Sequence, residues 1–251
     1  MALVEVVTFD VWETLIHDSA DSEPARLTLR ADNMASVLRR HGRSIAPAAL
    51  VHAYYVARPA MDSIWSAHRD FDTAEQIHLI FKLSPDLASY ELGAAELAEL
   101  AQAYARPLFD VPPTLDPDVP GVLAELARRG VRAAIICNTG RTPGWALREL
   151  FERFGILGSF EVATFSNEER IRKPDPAIFR RTLERLGVGP SVALHIGDDP
   201  NTDVLGAKSI GMRAVMVRTP AFSLNRHEPP VWPDAQVGRL AELPALLDSW
   251  R

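Results

Sequence analysis

The run Val4-Glu5-Val6-Val7-Thr8-Phe9 is mostly apolar and β-branched, and it ends on an acid, Asp10, before the tight turn Val11-Trp12-Glu13-Thr14-Leu15. Such a run predicts a buried strand. In an open α/β sheet, the strand's C-terminal end lies at the edge where these sheets carry their chemistry, so Asp10 is a candidate catalytic residue. After Ile16 the pattern changes. From His17 to Pro113 apolar residues recur at helical spacing and strand-like runs are missing. Ser22-Glu23-Pro24 opens a helix with the stripe Leu27, Leu29, Met34, Val37 and Leu38, and His41-Gly42 closes it. Further helices are expected over 46–57, 72–83 and 94–105.

From Pro112-Pro113 onward the period alternates. Helices are expected over 119–129, 144–154, 176–186 and 203–210, and strands over 131–136, 160–165, 191–196 and 214–217. A Pro-rich loop is expected over 220–233, then a short strand at 235–237 and a closing helix at 240–247. Strands alternating with helices of this length predict an α/β fold with a parallel sheet and right-handed crossovers. The first strand is cut off from the rest of its sheet by the helical insert, which is expected to sit over the sheet's catalytic edge like a lid.

Composition narrows the function. The 251 residues are 47% hydrophobic and 24% charged, ordinary for a globular protein long enough to bury a real core. The net charge of -6, with no cluster of Lys and Arg, argues against a nucleic-acid or anionic-membrane surface. A small, anionic substrate stays compatible, because a metal or a few local cations can serve it. With a single cysteine, Cys137, no intrachain disulfide forms. No basic-then-apolar leader precedes the first strand, and no apolar stretch approaches the roughly 20 residues of a membrane helix, so a cytoplasmic protein, monomer or homodimer, is expected.

Chemistry-bearing residues fall at successive strand ends: Asp10; Cys137-Asn138-Thr139-Gly140; Arg172-Lys173-Pro174-Asp175-Pro176 before a helix; and Gly197-Asp198-Asp199-Pro200-Asn201-Thr202-Asp203. Together they offer a carboxylate nucleophile, hydrogen-bond donors, one lysine and an acidic cluster able to hold a divalent ion. Phosphoryl transfer needs these groups, and oxygen-only ligands suit Mg²⁺. The competing structural roles are helix capping for the aspartates, a solvated surface for Lys173 and a small buried hydrophobe for Cys137. His195, inside a strand, reads as structural. Glu13 and His17 are candidate stand-ins for an acid or base. Tyr54, Tyr55, Trp65 and Phe71 read mainly as apolar filling of the insert.

In these four motifs, their order and the helical insert after the first, the chain resembles the haloacid dehalogenase-like hydrolase superfamily along its whole length. The resemblance implies a Rossmann-like core, 1–16 with 114–251, and a helical cap domain, 17–113. It implies Asp10 as the nucleophile and Lys173 as the cation balancing it. Asp10, Asp198 and the backbone carbonyl of Trp12 would hold Mg²⁺, with Asp203, or in its place Asp199, as a further acid. Trp12, Cys137, Asn138 and Thr139 would contact substrate. The chain departs from the family's phosphatases at two positions. Trp12 stands where they carry an aspartate that exchanges a proton, and Cys137 stands where they carry Ser or Thr. An aromatic residue at the position of Trp12 is similar to the dehalogenase branch, whose aspartate attacks carbon without a metal. That branch lacks the leading acid of the fourth motif, whereas Asp198, Asp199 and Asp203 all remain here. The expected activity is therefore Mg²⁺-dependent phosphomonoester hydrolysis of a small molecule. A dehalogenase-like reaction and a catalytically impaired binding protein are the alternatives.

Overall fold

The computed structural model describes residues 3–217 and 231–250. The strand β1, Val6–Phe9, opens the chain, and β2, Ile16–His17, follows the turn. Five helices come next: α1, Ser22–Arg40; α2, Pro47–Ser66; α3, Thr73–Leu83; α4, Ala94–Ala105; and α5, Pro107–Asp110. The short β3, Thr114–Leu115, leads into α6, Val119–Arg128, β4, Arg132–Cys137, and α7, Gly144–Arg153. Then come β5, Val162–Phe165, α8, Ser166–Glu169, α9, Pro176–Leu186, and β6, Ala193–Gly197. A π-turn precedes α10, Leu205–Ser209; β7, Arg213–Val217, β8, Ala235–Val237, and α11, Leu243–Ser249, complete the chain. Most of the expected Pro-rich loop over 220–233 lies outside the described residues.

The main sheet runs β5-β4-β1-β6-β7-β8 with parallel pairing throughout, as the alternating pattern predicts. Its strands carry apolar side chains on both faces because helices cover both. Val7, Phe9 and Ile135 pack with α6 and α7 on one side, while Val6, Ala134 and Ile136 pack with α9 on the other. A separate apolar cluster is built from α1 to α4, including Met34, Leu38, Ala53, Met61 and Ile77. The antiparallel ribbon of β2 with β3 stands where the chain leaves for these helices and returns.

Local chemistry explains most helix ends. Asp72 and Glu75 form a reciprocal capping box at the start of α3, each bond 2.9 Å long. Asp175 caps α9 through Ala177 N at 2.8 Å, and Gly187, at φ +68°, ends it in the left-handed conformation. Helix α2 runs well past the expected end at 57, carrying Pro59 inside it. Buried Ala53, Ala57 and Met61 fall on one face at i, i+4 spacing, and their packing offsets the hydrogen bond that the proline cannot make.

Candidate active site

The register of the sheet assembles the site. Phe9 pairs with Ile135 of β4 and Ile196 of β6, and Asp10 N continues the ladder to Ile196 O at 2.9 Å. Asp10 therefore leaves the sheet level with Ile136 and Gly197, and Cys137 and Asp198 follow one residue farther along their own strands. The third motif reaches the same point: Lys173 Nζ lies 2.5 Å from Asp10 Oδ1 and 2.6 Å from Asp203 Oδ1.

Each acid has a different environment. Asp203 is buried, and its oxygens accept from Lys173, from His195 Nε2 at 3.1 Å and from Asp199 N at 3.0 Å. Burial opposes its charge, but Lys173 and His195 outweigh burial and hold the carboxyl well below its ordinary range. Gly197 makes this approach feasible, since a Cβ there would lie 2.3 Å from the Asp203 carboxylate. Asp199 caps the following turn through Asn201 N at 2.7 Å. Asp198 is half-buried, and its carboxylate has no hydrogen bond or ion pair among the described residues. Burial, and then the charges of Asp10, Asp203 and Asp199, push it up to about 8. Burial and Asp203 likewise raise Asp10, to about 7, against the pull of Lys173. Lys173 is fully enclosed, but the two carboxylates outweigh burial and hold it cationic.

Carboxylate oxygens of Asp10, Asp198 and Asp203 lie within 4.8 Å of one another. Crowded acids of which one has no donor are the arrangement that a hard divalent cation relieves, so the residues present fit a metal. His195, whose Nδ1 lies 2.8 Å from Thr8 Oγ1, is held below its ordinary 6.5 by burial and supports Asp203 from behind.

The second motif is used differently from a plain set of substrate donors. Asn138 clasps the Lys173 backbone, accepting from Lys173 N at 2.9 Å and donating to Lys173 O at 3.0 Å. Thr139 N donates to Ser166 Oγ at 2.9 Å. Cys137 is fully buried, and burial with the charge of Asp10 pushes its thiol well above its ordinary value, so it is no thiolate. Two cavities flank Asn138. One of about 260 Å³ is lined by Trp12, Arg26, Trp65 and Thr139; the other, about 590 Å³, is lined by Lys173, Arg172 and Trp65. Trp12 carries the Arg26 guanidinium over its ring, 5.8 Å from the centroid. Glu13 and His17 line neither cavity; His17 instead links Glu13, at 3.3 Å, to Asp116, at 3.0 Å.

Asp70 and Ser166 are residues that sequence reasoning missed. Asp70, from the segment between α2 and α3, accepts from Ser166 Oγ at 2.5 Å and Arg172 Nη1 at 2.8 Å, joining the helical insert to the end of β5 and to the third motif. Ser166 directly follows β5, so a polar residue at a strand's C-terminal end was the available signal.

A profile of the haloacid dehalogenase-like hydrolases matches residues 4–211. The chain belongs to this family. Among curated relatives of this hydrolase, the phosphoserine phosphatase of Thermus thermophilus is 39% identical over 152 residues, 60% of this chain and 58% of that protein. The glyceraldehyde 3-phosphate phosphatase of Methanopyrus kandleri is 28% identical over 96% of each chain. Several curated relatives are thus matched over about half their length or less. Among solved structures, a 2-haloacid dehalogenase from Pseudomonas syringae superposes with a TM-score of 0.72 at 25% identity, over 99% of this chain and 100% of the other. No helix of the described residues is long and apolar enough to cross a membrane.

Proposed function

We propose that this hydrolase is a Mg²⁺-dependent phosphatase of small phosphomonoesters that works through an aspartyl phosphate on Asp10. One observation carries the reading: Asp10, paired to Lys173 at 2.5 Å, stands beside an acid, Asp198, that no donor serves. Asp10, Asp198 and the backbone carbonyl of Trp12 would hold the ion, and Asp203 would orient Lys173 and the Asp199 backbone from behind. When bound, Mg²⁺ supplies charge neutralisation for the substrate's phosphate oxygens.

A carboxylate oxygen of Asp10 attacks phosphorus. The bond to the ester oxygen breaks, and its electron pair leaves on that oxygen, which takes a proton from solvent. Water then attacks phosphorus and gives a proton to solvent; the bond from phosphorus to the Asp10 oxygen breaks, its electron pair returns to the carboxylate, and inorganic phosphate leaves. Lys173 balances charge throughout, and Asn138 holds the lysine's backbone in place. Trp12 has no proton to exchange, so leaving-group protonation goes without the roughly 10²- to 10⁴-fold help of a positioned acid. Alkyl phosphates should therefore turn over slowly and aryl phosphates faster. Residues 17–113 serve as a cap over the core of 1–16 and 114–251, closing the cavities around Asn138 against water and selecting substrate. The lone reduced thiol fits a cytoplasmic setting.

Hydrolysis of 4-nitrophenyl phosphate with Mg²⁺, abolished in Asp10→Asn, tests the reading. No turnover of any phosphate ester, together with no effect of Asp10→Asn on ligand binding or kinetics, would defeat it. Trp12 and the likeness to a 2-haloacid dehalogenase favour a second reading, in which Asp10 displaces halide from carbon and water hydrolyses the resulting ester. Halide release from a 2-haloacid in the presence of a chelator would establish that reaction and remove the metal from the account.

A further inference from the structure

The cavity beside Trp12 is bounded by charged side chains from both parts of the chain. Arg58 comes from α2, and Arg141 from the loop after β4 that also carries Asn138 and Thr139. Both guanidinium groups donate to one phenol oxygen: Arg58 Nη1 lies 3.0 Å from Tyr54 Oη, and Arg141 Nη1 bonds the same atom. Tyr54 is buried, and Arg141 also lies over its ring, 5.5 Å from the centroid.

Two cations drawn to one neutral oxygen repel, and the acids nearby compensate them incompletely. Arg58 pairs with Asp62 at 2.7 Å, but that carboxylate is 47% exposed and screened by water. Arg141 lies 3.1 Å from Glu23, which also serves the buried Arg30 at 2.8 Å. Asp18 is engaged by Arg26 through two bonds of 2.7 Å. Three arginines, Arg26, Arg58 and Arg141, thus line this cavity with two carboxylates, Asp18 and Glu23, and Glu23 is shared with Arg30.

We propose that Arg58 and Arg141 form a subsite for a carboxylate carried on the leaving-group part of the phosphomonoester, a substrate class that rests on the phosphatase reading. Guanidinium forks offer parallel N–H donors that match the two oxygens of a carboxylate. Trp12 and Trp65 wall the same space. Because Arg58 belongs to the helical insert and Arg141 to the sheet edge, the subsite is complete only with the two in contact. A substrate carboxylate therefore adds binding energy to their closure over Asp10, and an ester lacking it does not.

Steady-state kinetics with Mg²⁺ on two matched pairs test this: 3-phosphoglycerate against glycerol 3-phosphate, and 4-carboxyphenyl phosphate against phenyl phosphate. The carboxylated member of each pair should show a KM lower by about tenfold or more, the usual worth of a hydrogen-bonded charge. That preference should collapse in Arg58→Gln and Arg141→Gln and survive in part in Arg58→Lys. Equal KM within both pairs, or a preference that persists in Arg58→Gln, would overturn the subsite. Arg58 is 40% exposed, so its variants report on the subsite even where Arg141→Gln fails to fold. If no ester is hydrolysed, the phosphatase reading falls, and calorimetric titration with 3-phosphoglycerate and glycerol 3-phosphate still decides the subsite. Tighter binding of the carboxylate, lost in Arg58→Gln, upholds it; equal affinity or no binding refutes it.

Discussion

Replacing Asp70 by alanine removes the acceptor that four donors share. Its enclosed carboxylate takes Trp65 Nε1 at 3.0 Å and Phe71 N at 2.9 Å on one oxygen, and Ser166 Oγ at 2.5 Å and Arg172 Nη1 at 2.8 Å on the other. The variant leaves Arg172, only 15% exposed, without its counter-ion. Breaking a buried charge pair by removing one member costs about 3–5 kcal/mol. Arg172 keeps some water and lies 5.1 Å from the Trp65 ring centroid, which places the loss at the lower end, about 3 kcal/mol. In a chain of this size each kcal/mol moves Tm by roughly 2–4 °C, so a fall of about 6–12 °C is expected. Asp70→Asn keeps the shape and one accepting oxygen and should lose about half as much. Thermal unfolding followed by circular dichroism reads the loss directly. Kinetics should move as well, because Ser166 also holds Thr139 N beside the Asn138–Lys173 clasp, and kcat/KM should fall at temperatures where the variant is fully folded. A Tm within about 2 °C of wild type, with unchanged kinetics, would show that this contact does not hold the insert on the core.

Trp12→Asp restores a proton-exchanging group at the cavity wall and should raise kcat on alkyl phosphates by about 10²- to 10⁴-fold, with a smaller gain on 4-nitrophenyl phosphate. No gain on either substrate would show that more than proton transfer is missing. Mg²⁺ at 100 times its dissociation constant should stabilise the wild type by about 2.7 kcal/mol, and Asp198→Asn should remove that Mg²⁺-dependent rise in Tm. His17 is raised from 6.5 to about 9, first by its hydrogen bond to Glu13 and then by Asp116. Its stabilising contribution is therefore complete below pH 6.5 and lost as pH climbs through about 9. Glu13 is lowered from 4.5 by His17, so its contribution is present above pH 4.5 and lost in acid. The Tm difference between wild type and His17→Gln should be largest near pH 5 to 6 and shrink toward about pH 9, and a difference that grows with pH would contradict the pairing.

Elements whose signals are local were legible in the sequence. The run into Asp10 and the helical spacing of α3 and α4 each lie within a dozen residues, and the structure forms these elements close to where the pattern puts them. The end of α2 was not legible, because Pro59 argues locally for a stop while the packing of Met61 against distant helices argues for continuation. The site divides the same way. Asp10, Lys173 and Asp198 could be named because each sits beside a strand end or a proline-bounded loop. Asp70 could not, since its meaning lies in Ser166 and Arg172, about a hundred positions away.

Asn138 and Asp203 show why a residue can be legible while its task is not. Both stand in motif positions and both look like groups for a ligand. Asn138 spends its amide on the Lys173 backbone, and Asp203 spends its oxygens on Lys173, His195 and the Asp199 backbone. Both therefore act on Lys173, while Asp203 also stays within the group of three acids that could hold an ion. Lys173 in turn can satisfy only part of the negative charge around it, since Asp10 and Asp203 already share its one ammonium. The unserved carboxylate of Asp198 follows from that arithmetic, and it leaves this edge of the sheet with more acids than its one lysine can serve.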